Sequence, residues 1–216
     1  GELLKTVELP EGTVVNCIES FDGVLVAAGE KYLAVYDGIN LIGSEVLGDV
    51  AAMAEFQDNL LVAVNTQGGA QLLSFESTEA EPQIIALSLK GSFVDLSASE
   101  QSCCGVTDTG EIVWTYDGLS WTVTDFNAVY AGFYPEVELT CAGASPNNSI
   151  AVAGRTASGS SVMFTSSGGN VWSERELSRL EGGSPVALEE QVLGLAYDRF
   201  ADQYICLCSG AALFLV

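Results

Sequence analysis

The chain has 216 residues, 48% of them hydrophobic, and sets 29 acidic side chains against 7 basic ones for a net charge of −22. That imbalance argues against a nucleic-acid or anionic-membrane partner, because phosphate is repelled. No run of 18 apolar residues is present to cross a bilayer as a helix, and the absence of histidine excludes His-dependent nucleophilic triads and His-ligated zinc.

The first strand-like run, Leu3–Leu9 (LLKTVEL), has no neighbour of its own in sequence. From Val14 onward a weak repeat recurs five times, at a period of roughly 36 to 55 residues. Unit one has strand-like runs at Val14–Ser20, Val24, Tyr32 and Leu41, and unit two at Val50–Phe56, Leu60, Gln71 and Pro82. Unit three has them at Phe93–Ser99, Ser102, Glu111 and Trp121, and unit four at Glu138–Ala144, Ser149, Ser161 and Trp172. Unit five has Val192–Asp198 and runs from Tyr204 and Ala212, and then the sequence ends. These runs are short and rich in Val, Ile, Leu, Thr and aromatics, with Gly, Asn, Asp and Ser between them, which is the pattern of an antiparallel meander.

A meander repeated five times predicts a single all-β domain over 1–216, a five-bladed β-propeller. The blades would be 13–48, 49–90, 91–136, 137–190 and 191–216 plus 1–12. Leu3–Leu9 would complete the last blade and cover two sheet edges. In the innermost strands, period-2 alternation puts Val15, Ala51, Val94, Leu139 and Leu193 between blades. Cys17, Met53, Leu96, Cys141 and Leu195 follow on the same face. The opposite face reads Asn16, Ala52, Asp95, Thr140 and Gly194, mostly small, as a narrow axis demands. Asn16, Asp95 and Thr140 are therefore expected to line the axis. Six cysteines are expected as buried thiols behaving as small hydrophobes, with Cys103 and Cys104 on opposite faces of one strand and Cys206 and Cys208 on the same face.

One turn resembles a known element. Thr165–Trp172 (TSSGGNVW) is similar to the Asp-box, or BNR repeat, of pattern Ser/Thr-x-Asp-x-Gly-x-x-Trp: Thr165, Gly169 and Trp172 match, and Ser167 stands in the Asp place. Trp114–Trp121 (WTYDGLSW) keeps Gly118 and Trp121, with Asp117 one place late, and Ala34–Leu41 keeps Gly38. The chain thus resembles the sialidase-like β-propeller superfamily, with degenerate repeats. The box in that family is a folding element at the blade rim, so the resemblance implies architecture. The sialidase activity it also suggests would need an arginine cluster and a Tyr–Glu pair. Arg155, Arg175, Arg179 and Arg199 fall on different elements. Five-bladed glycosidases ring the axis with carboxylates, whereas here Asp95 has no second carboxylate in its column.

Two long connections, Asn127–Val137 and Ser178–Glu190, fall on the same end as the turns between second and third strands. They place Tyr130, Phe133, Tyr134, Arg155 and Arg179 as candidate ligand-binding residues, since long aromatic loops on a rigid scaffold are common binding surfaces. Asn147-Asn148-Ser149 is a glycosylation sequon in a blade loop. The reading is a non-catalytic binding module whose ligand is a glycan, peptide or protein. The alternatives are a divergent five-bladed glycoside hydrolase and a structural scaffold. No cofactor or metal is expected, the chain is expected to be a monomer, and export or display at a bacterial cell surface is the expected location.

Overall fold

The computed structural model describes residues 9, 11–37, 41–181, 184–209 and 212–215, with backbone alone at 41–47, 176, 178–181, 184–187 and 212–215. It is all-β apart from one short helix. The first sheet runs in sequence order through β1 (Val15–Phe21), β2 (Val24–Tyr36), β3 (Leu41–Phe56), β4 (Asn59–Thr66), β5 (Gly69–Phe75) and β6 (Gln83–Ile85). The second holds β7 (Phe93–Ala98), β8 (Cys103–Thr107), β9 (Glu111–Thr115) and β10 (Thr122–Asp125), and helix α1 (Phe126–Tyr130) follows it. The third holds β11 (Val137–Ala144), β12 (Ser149–Thr156), β13 (Ser161–Ser167) and β14 (Ser173–Glu176). After a hairpin of β15 (Ser178–Glu181) and β16 (Ser184–Ala187), the last sheet holds β17 (Val192–Asp198), β18 (Gln203–Cys208) and β19 (Ala212–Leu215). Every strand pair is antiparallel, so the meander reading holds.

Unit one departs from expectation. Its second and third strands are one strand, β2, with no turn at Glu30–Lys31. Val24–Gly29 pairs with β1, whereas Tyr32–Tyr36 pairs with Leu41–Glu45 of β3. A register shift between Glu30 and Tyr32, with Lys31 at φ 55°, bends the strand instead of reversing it. β3 then runs on from unit one into unit two, which fuses both into one six-stranded sheet. Among the described residues there are thus four sheets and a hairpin, and they are not joined edge to edge into a closed ring. Leu3–Leu9, the expected closing strand, lies outside the described residues except for Leu9.

The inner strands pack side by side in chain order: β1 against β3, β3 against β7, β7 against β11, and β11 against β17. All five carry a register shift at matching places: Val15/Cys17, Val50/Ala52, Phe93/Asp95, Leu139/Cys141 and Val192/Gly194. Each bulge leaves one extra residue unpaired and bends its strand. This recurrence aligns Asn16, Ala51, Val94, Thr140 and Leu193. The alternation read from sequence is therefore out by one residue in units one and four. Strict period 2 cannot see a bulge, which inserts a residue and reverses the faces beyond it. In units one and four the strand opposite the bulge supplies a glycine. A Cβ on Gly29 would stand 1.8 Å from the Val14 carbonyl oxygen, and one on Gly154 would stand 2.0 Å from that of Glu138. No side chain fits either place.

Four apolar layers fill the gaps between successive units. Phe21, Val26, Met53 and Val62 join units one and two, and Phe56, Leu61, Phe93 and Val113 join two and three. Ile112, Leu139, Ile150 and Phe164 join three and four, and Met163, Leu188, Val192 and Tyr204 join four and five. Each fully buried side chain of this size contributes about 1.5–3 kcal/mol. Cys103 and Cys104 face different layers, and Cys206 and Cys208 share one. All six thiols are free, five of them buried.

Polar side chains also tie each unit to the next along the chain. The Asn16 amide donates to the Val50 carbonyl at 2.9 Å. Asn65 donates to the Phe93 carbonyl at 2.9 Å and accepts from the Phe93 amide at 2.8 Å. Asp95 accepts from the Ala142 amide at 2.9 Å, and the Thr140 hydroxyl donates to the Val192 carbonyl at 2.7 Å. One such link stands at every junction, where it satisfies backbone groups that bulged or edge positions leave without ladder partners.

Candidate functional site

The expected ligand-binding residues separate. β12 and β13 pair Arg155 with Ser161 at one end of the third sheet and Ser149 with Ser167 at the other. Arg155 stays at the first end, donating from Nε to the Gly159 carbonyl at 2.7 Å and from a terminal nitrogen to that of Glu189 at 3.2 Å. It lines a cleft of about 410 Å³ with Asp108, Glu136 and Glu138. Helix α1 starts near that end, capped by Asp125, which accepts from the Ala128 amide at 3.0 Å. Its other end reaches the turn beyond Ser167, where the Tyr130 hydroxyl donates to the Asn170 carbonyl at 3.3 Å and accepts from the Trp172 amide at 3.2 Å. Tyr130 stacks on Phe126 at 4.9 Å, and Tyr134 meets Phe164 edge-on at 4.8 Å. Both tyrosines are half-buried and wedge the connection between the second and third sheets. Phe133 projects outward at 82% exposure. For Arg179 the backbone alone is described, in β15 paired with Val186.

The axis candidates are likewise engaged in structure. Asn16 and Thr140 sit on bulges, and Asp95 sits one residue past one. Asp95 holds its Oδ1 on the Leu96 amide and its Oδ2 on the Ala142 amide, both at 2.9 Å. Burial raises its carboxyl above the ordinary range, and these two amides oppose the shift. At the turn after β9, Asp117 does what its misplaced position in sequence obscured. Its Oδ1 accepts from the Leu119 and Ser120 amides at 2.9 and 2.7 Å and from the Thr115 hydroxyl at 3.1 Å, and the Trp121 indole donates to the Gly118 carbonyl. Those amides hold the Asp117 carboxyl below its usual range. At the matching turn of unit four, Gly168 and Gly169 take φ of 101° and 73°, and a Cβ on Gly169 would strike the Trp114 ring at 2.4 Å.

A different place gathers polar groups. Between units four and five, at the end bearing the first-to-second strand turns, lies a groove of about 390 Å³. Its floor is Met163 and the ring of Tyr204. One wall carries Thr165, Ser167 and Arg175, and the other carries Tyr197, Asp202 and Gln203. Two turns build it. Ser145 accepts at its hydroxyl from the amides of Asn147 and Ser149, and Asn148 takes a left-handed φ of 55°. Asp198 accepts from the amides of Phe200 and Ala201, and Asp202 takes φ 54°. The two turns then grip each other. The Asn147 amide donates to the Tyr197 hydroxyl at 3.0 Å and to Asp202 Oδ1 at 2.8 Å, while the Tyr197 hydroxyl donates to that same carboxylate. The Tyr204 hydroxyl donates to the Ser149 carbonyl at 2.9 Å, and burial pushes its phenol up to about 12. Sequence reasoning met Asn147 as a sequon and left Tyr197 and Asp202 unremarked, since their meeting spans more than 50 residues.

Among the described residues, no group of three His, Cys, Asp or Glu side chains is placed to hold a metal ion, and no helix is long and apolar enough to cross a membrane.

No family model matches the sequence, and no curated protein does. Solved structures do match in fold. YCF48 from Cyanidioschyzon merolae superposes with a TM-score of 0.68 at 13% identity, over 98% of this chain and 69% of that one. A structure described as YCF48 bound to D1 peptide gives 0.62 at 13%, over 97% and 65%. A catalytically inactive virginiamycin B lyase from Staphylococcus aureus with quinupristin gives 0.70 at 9%, over 95% and 67%. This chain therefore spans about two thirds of the length of the proteins it resembles. At such identities the likeness establishes architecture alone: the fold is that of a β-propeller.

Proposed function

We propose that the chain is a non-catalytic interaction module that takes a peptide or protein segment in the groove between units four and five. The observation that carries this reading is the mutual bonding of Asn147, Tyr197 and Asp202. It fixes donors and acceptors around an open groove before any ligand arrives, and such preorganisation lowers the ordering cost of binding. The groove volume of about 390 Å³ falls within the range of small-ligand sites. Two neighbouring folds, the YCF48 structure with a D1 peptide and the lyase with quinupristin, support looking for a ligand on such a scaffold. We further propose that the ring has five blades and that Leu3–Leu9 adds to the free edge of β19. The divergent glycoside hydrolase is disfavoured because both oxygens of Asp95 already hold main-chain amides.

Selection of a phage-displayed peptide library on the intact chain tests the reading. Peptides should be enriched and should lose binding to Ser167→Trp, which fills the groove from an exposed strand end. Enriched peptides that bind both forms equally would overturn the placement. Turnover of aryl glycosides that vanishes in Asp95→Asn would favour the hydrolase instead.

A further inference from the structure

The groove contains a cation that no carboxylate among the described residues pairs with. Each described arginine side chain is accounted for differently. Arg155 is spent on two main-chain carbonyls. Arg199 pairs with Glu100 at 3.0 Å, and the side chains of both are largely exposed. Arg175 makes one bond, from Nε to the Thr165 hydroxyl at 3.1 Å. Among the described residues no carboxylate pairs with it, although the chain carries 29 acidic residues. That single bond matters, because it ties Nε to the groove wall and, among the described residues, leaves the terminal nitrogens without a partner. A guanidinium held by Nε presents a fork that matches the two oxygens of a carboxylate.

The opposite wall has the opposite sign. Asp202 there is an acceptor, already bonded by Asn147 and Tyr197. A ligand lying across the groove meets a cation at one side and an acceptor at the other. An anionic group is repelled from the Asp202 side and from the chain's overall charge, and at physiological ionic strength that overall field is screened within about 8 Å. Arg175 is the one described groove-lining group with the charge to hold it.

We propose that the peptide carries a carboxylate and that Arg175 receives it, with peptide donors turned toward Asp202. This rests on the peptide-binding reading of the same groove. It is tested with three small probes on the whole chain, following the side-chain N–H resonances of arginine by NMR. N-acetylglycine offers a terminal carboxylate, N-acetylglutamic acid α-amide a side-chain carboxylate, and N-acetylglycinamide none. The two acids should shift the Arg175 Nε–H signal saturably and the amide should not, and the stronger of the two acids identifies the source of the carboxylate. Arg175→Gln should weaken the acids about tenfold, the scale of one charge-assisted pair, and Arg175→Lys should fall between, since it keeps charge without the fork. Equal shifts by acid and amide overturn the carboxylate assignment, as do acid shifts at Arg155 or Arg199 in place of Arg175. If selected peptides still lose binding to Ser167→Trp but bind Arg175→Gln unchanged, the peptide reading stands and the carboxylate assignment falls.

Discussion

Asp95, the carboxylate expected at the axis, is either a catalyst or a rivet between units. Replacing it with alanine leaves the amides of Leu96 and Ala142 without their 2.9 Å acceptors at the junction of units three and four. A buried backbone donor left unpaired costs about 1–3 kcal/mol. Two such donors put the expected loss at about 2–6 kcal/mol for Asp95→Ala. Asp95→Asn keeps one acceptor but turns an NH2 toward the other amide. It also removes a charge that burial disfavours, so its loss should be about half that of alanine. The pH dependence provides a second reading. Burial raises the native carboxyl above its ordinary value of 3.8. The native state therefore holds this proton more tightly than the unfolded chain, and that contribution is present below 3.8 and lost as pH rises through the native value. The stability gap between wild type and Asp95→Asn should accordingly narrow across that window. Urea unfolding with an unchanged m-value measures both. A loss below about 0.5 kcal/mol for alanine, the scale of a neutral surface change, would refute the structural role.

Three further outcomes follow from the packing. Burial pushes the Cys17 thiol up to about 11 and that of Cys206 up to about 12. Stability should hold below pH 9 and fall as pH rises through those values, at no more than about 1.4 kcal/mol per pH unit for each thiol; a flat profile from pH 9 to 11 would contradict it. Trp172 is 3% exposed, and its indole nitrogen has no hydrogen-bond partner among the described residues. Trp172→Phe should thus cost less than Trp172→Ala, for which about 3–5 kcal/mol is expected, both read from chemical unfolding. On the proposal that Leu3–Leu9 adds to β19, deleting residues 1–10 should expose that edge and produce oligomers on size exclusion; a monomer with unchanged Tm would remove the closing strand from the account.

The strands were legible because β-branched runs and turn residues mark them locally, and most fell where expected. The bulges were not legible. A bulge at Thr140 or Asn16 shows in no propensity, since it is set by the partner strand and by glycines such as Gly29 and Gly154 that permit the close crossing. The Glu30–Lys31 bend read as a turn because it separates the strand-like runs at Val24 and Tyr32, and whether a chain bends or reverses there depends on which neighbour takes the next ladder. The layers assigned to Cys103 and Cys104 were legible, since opposite faces of one strand follow from alternation alone. The tyrosines of the α1 connection stood out as ligand-binding candidates, and packing occupies Tyr130 and Tyr134, whose rings meet Phe126 and Phe164. The groove was invisible for the opposite reason. Asn147, Tyr197, Asp202 and Arg175 are ordinary residues singly, and they gather into a candidate site only when two units are placed side by side.

Hydrogen–deuterium exchange with and without a library-selected peptide tests the central claim most directly. The account predicts added protection at 145–149, 165–167 and 197–204, the turns and strand ends that line the groove, with none at 126–134. Protection confined to 155–161 and 188–190, at the Arg155 end of the third sheet, would contradict it and return the binding face to the opposite end of the propeller.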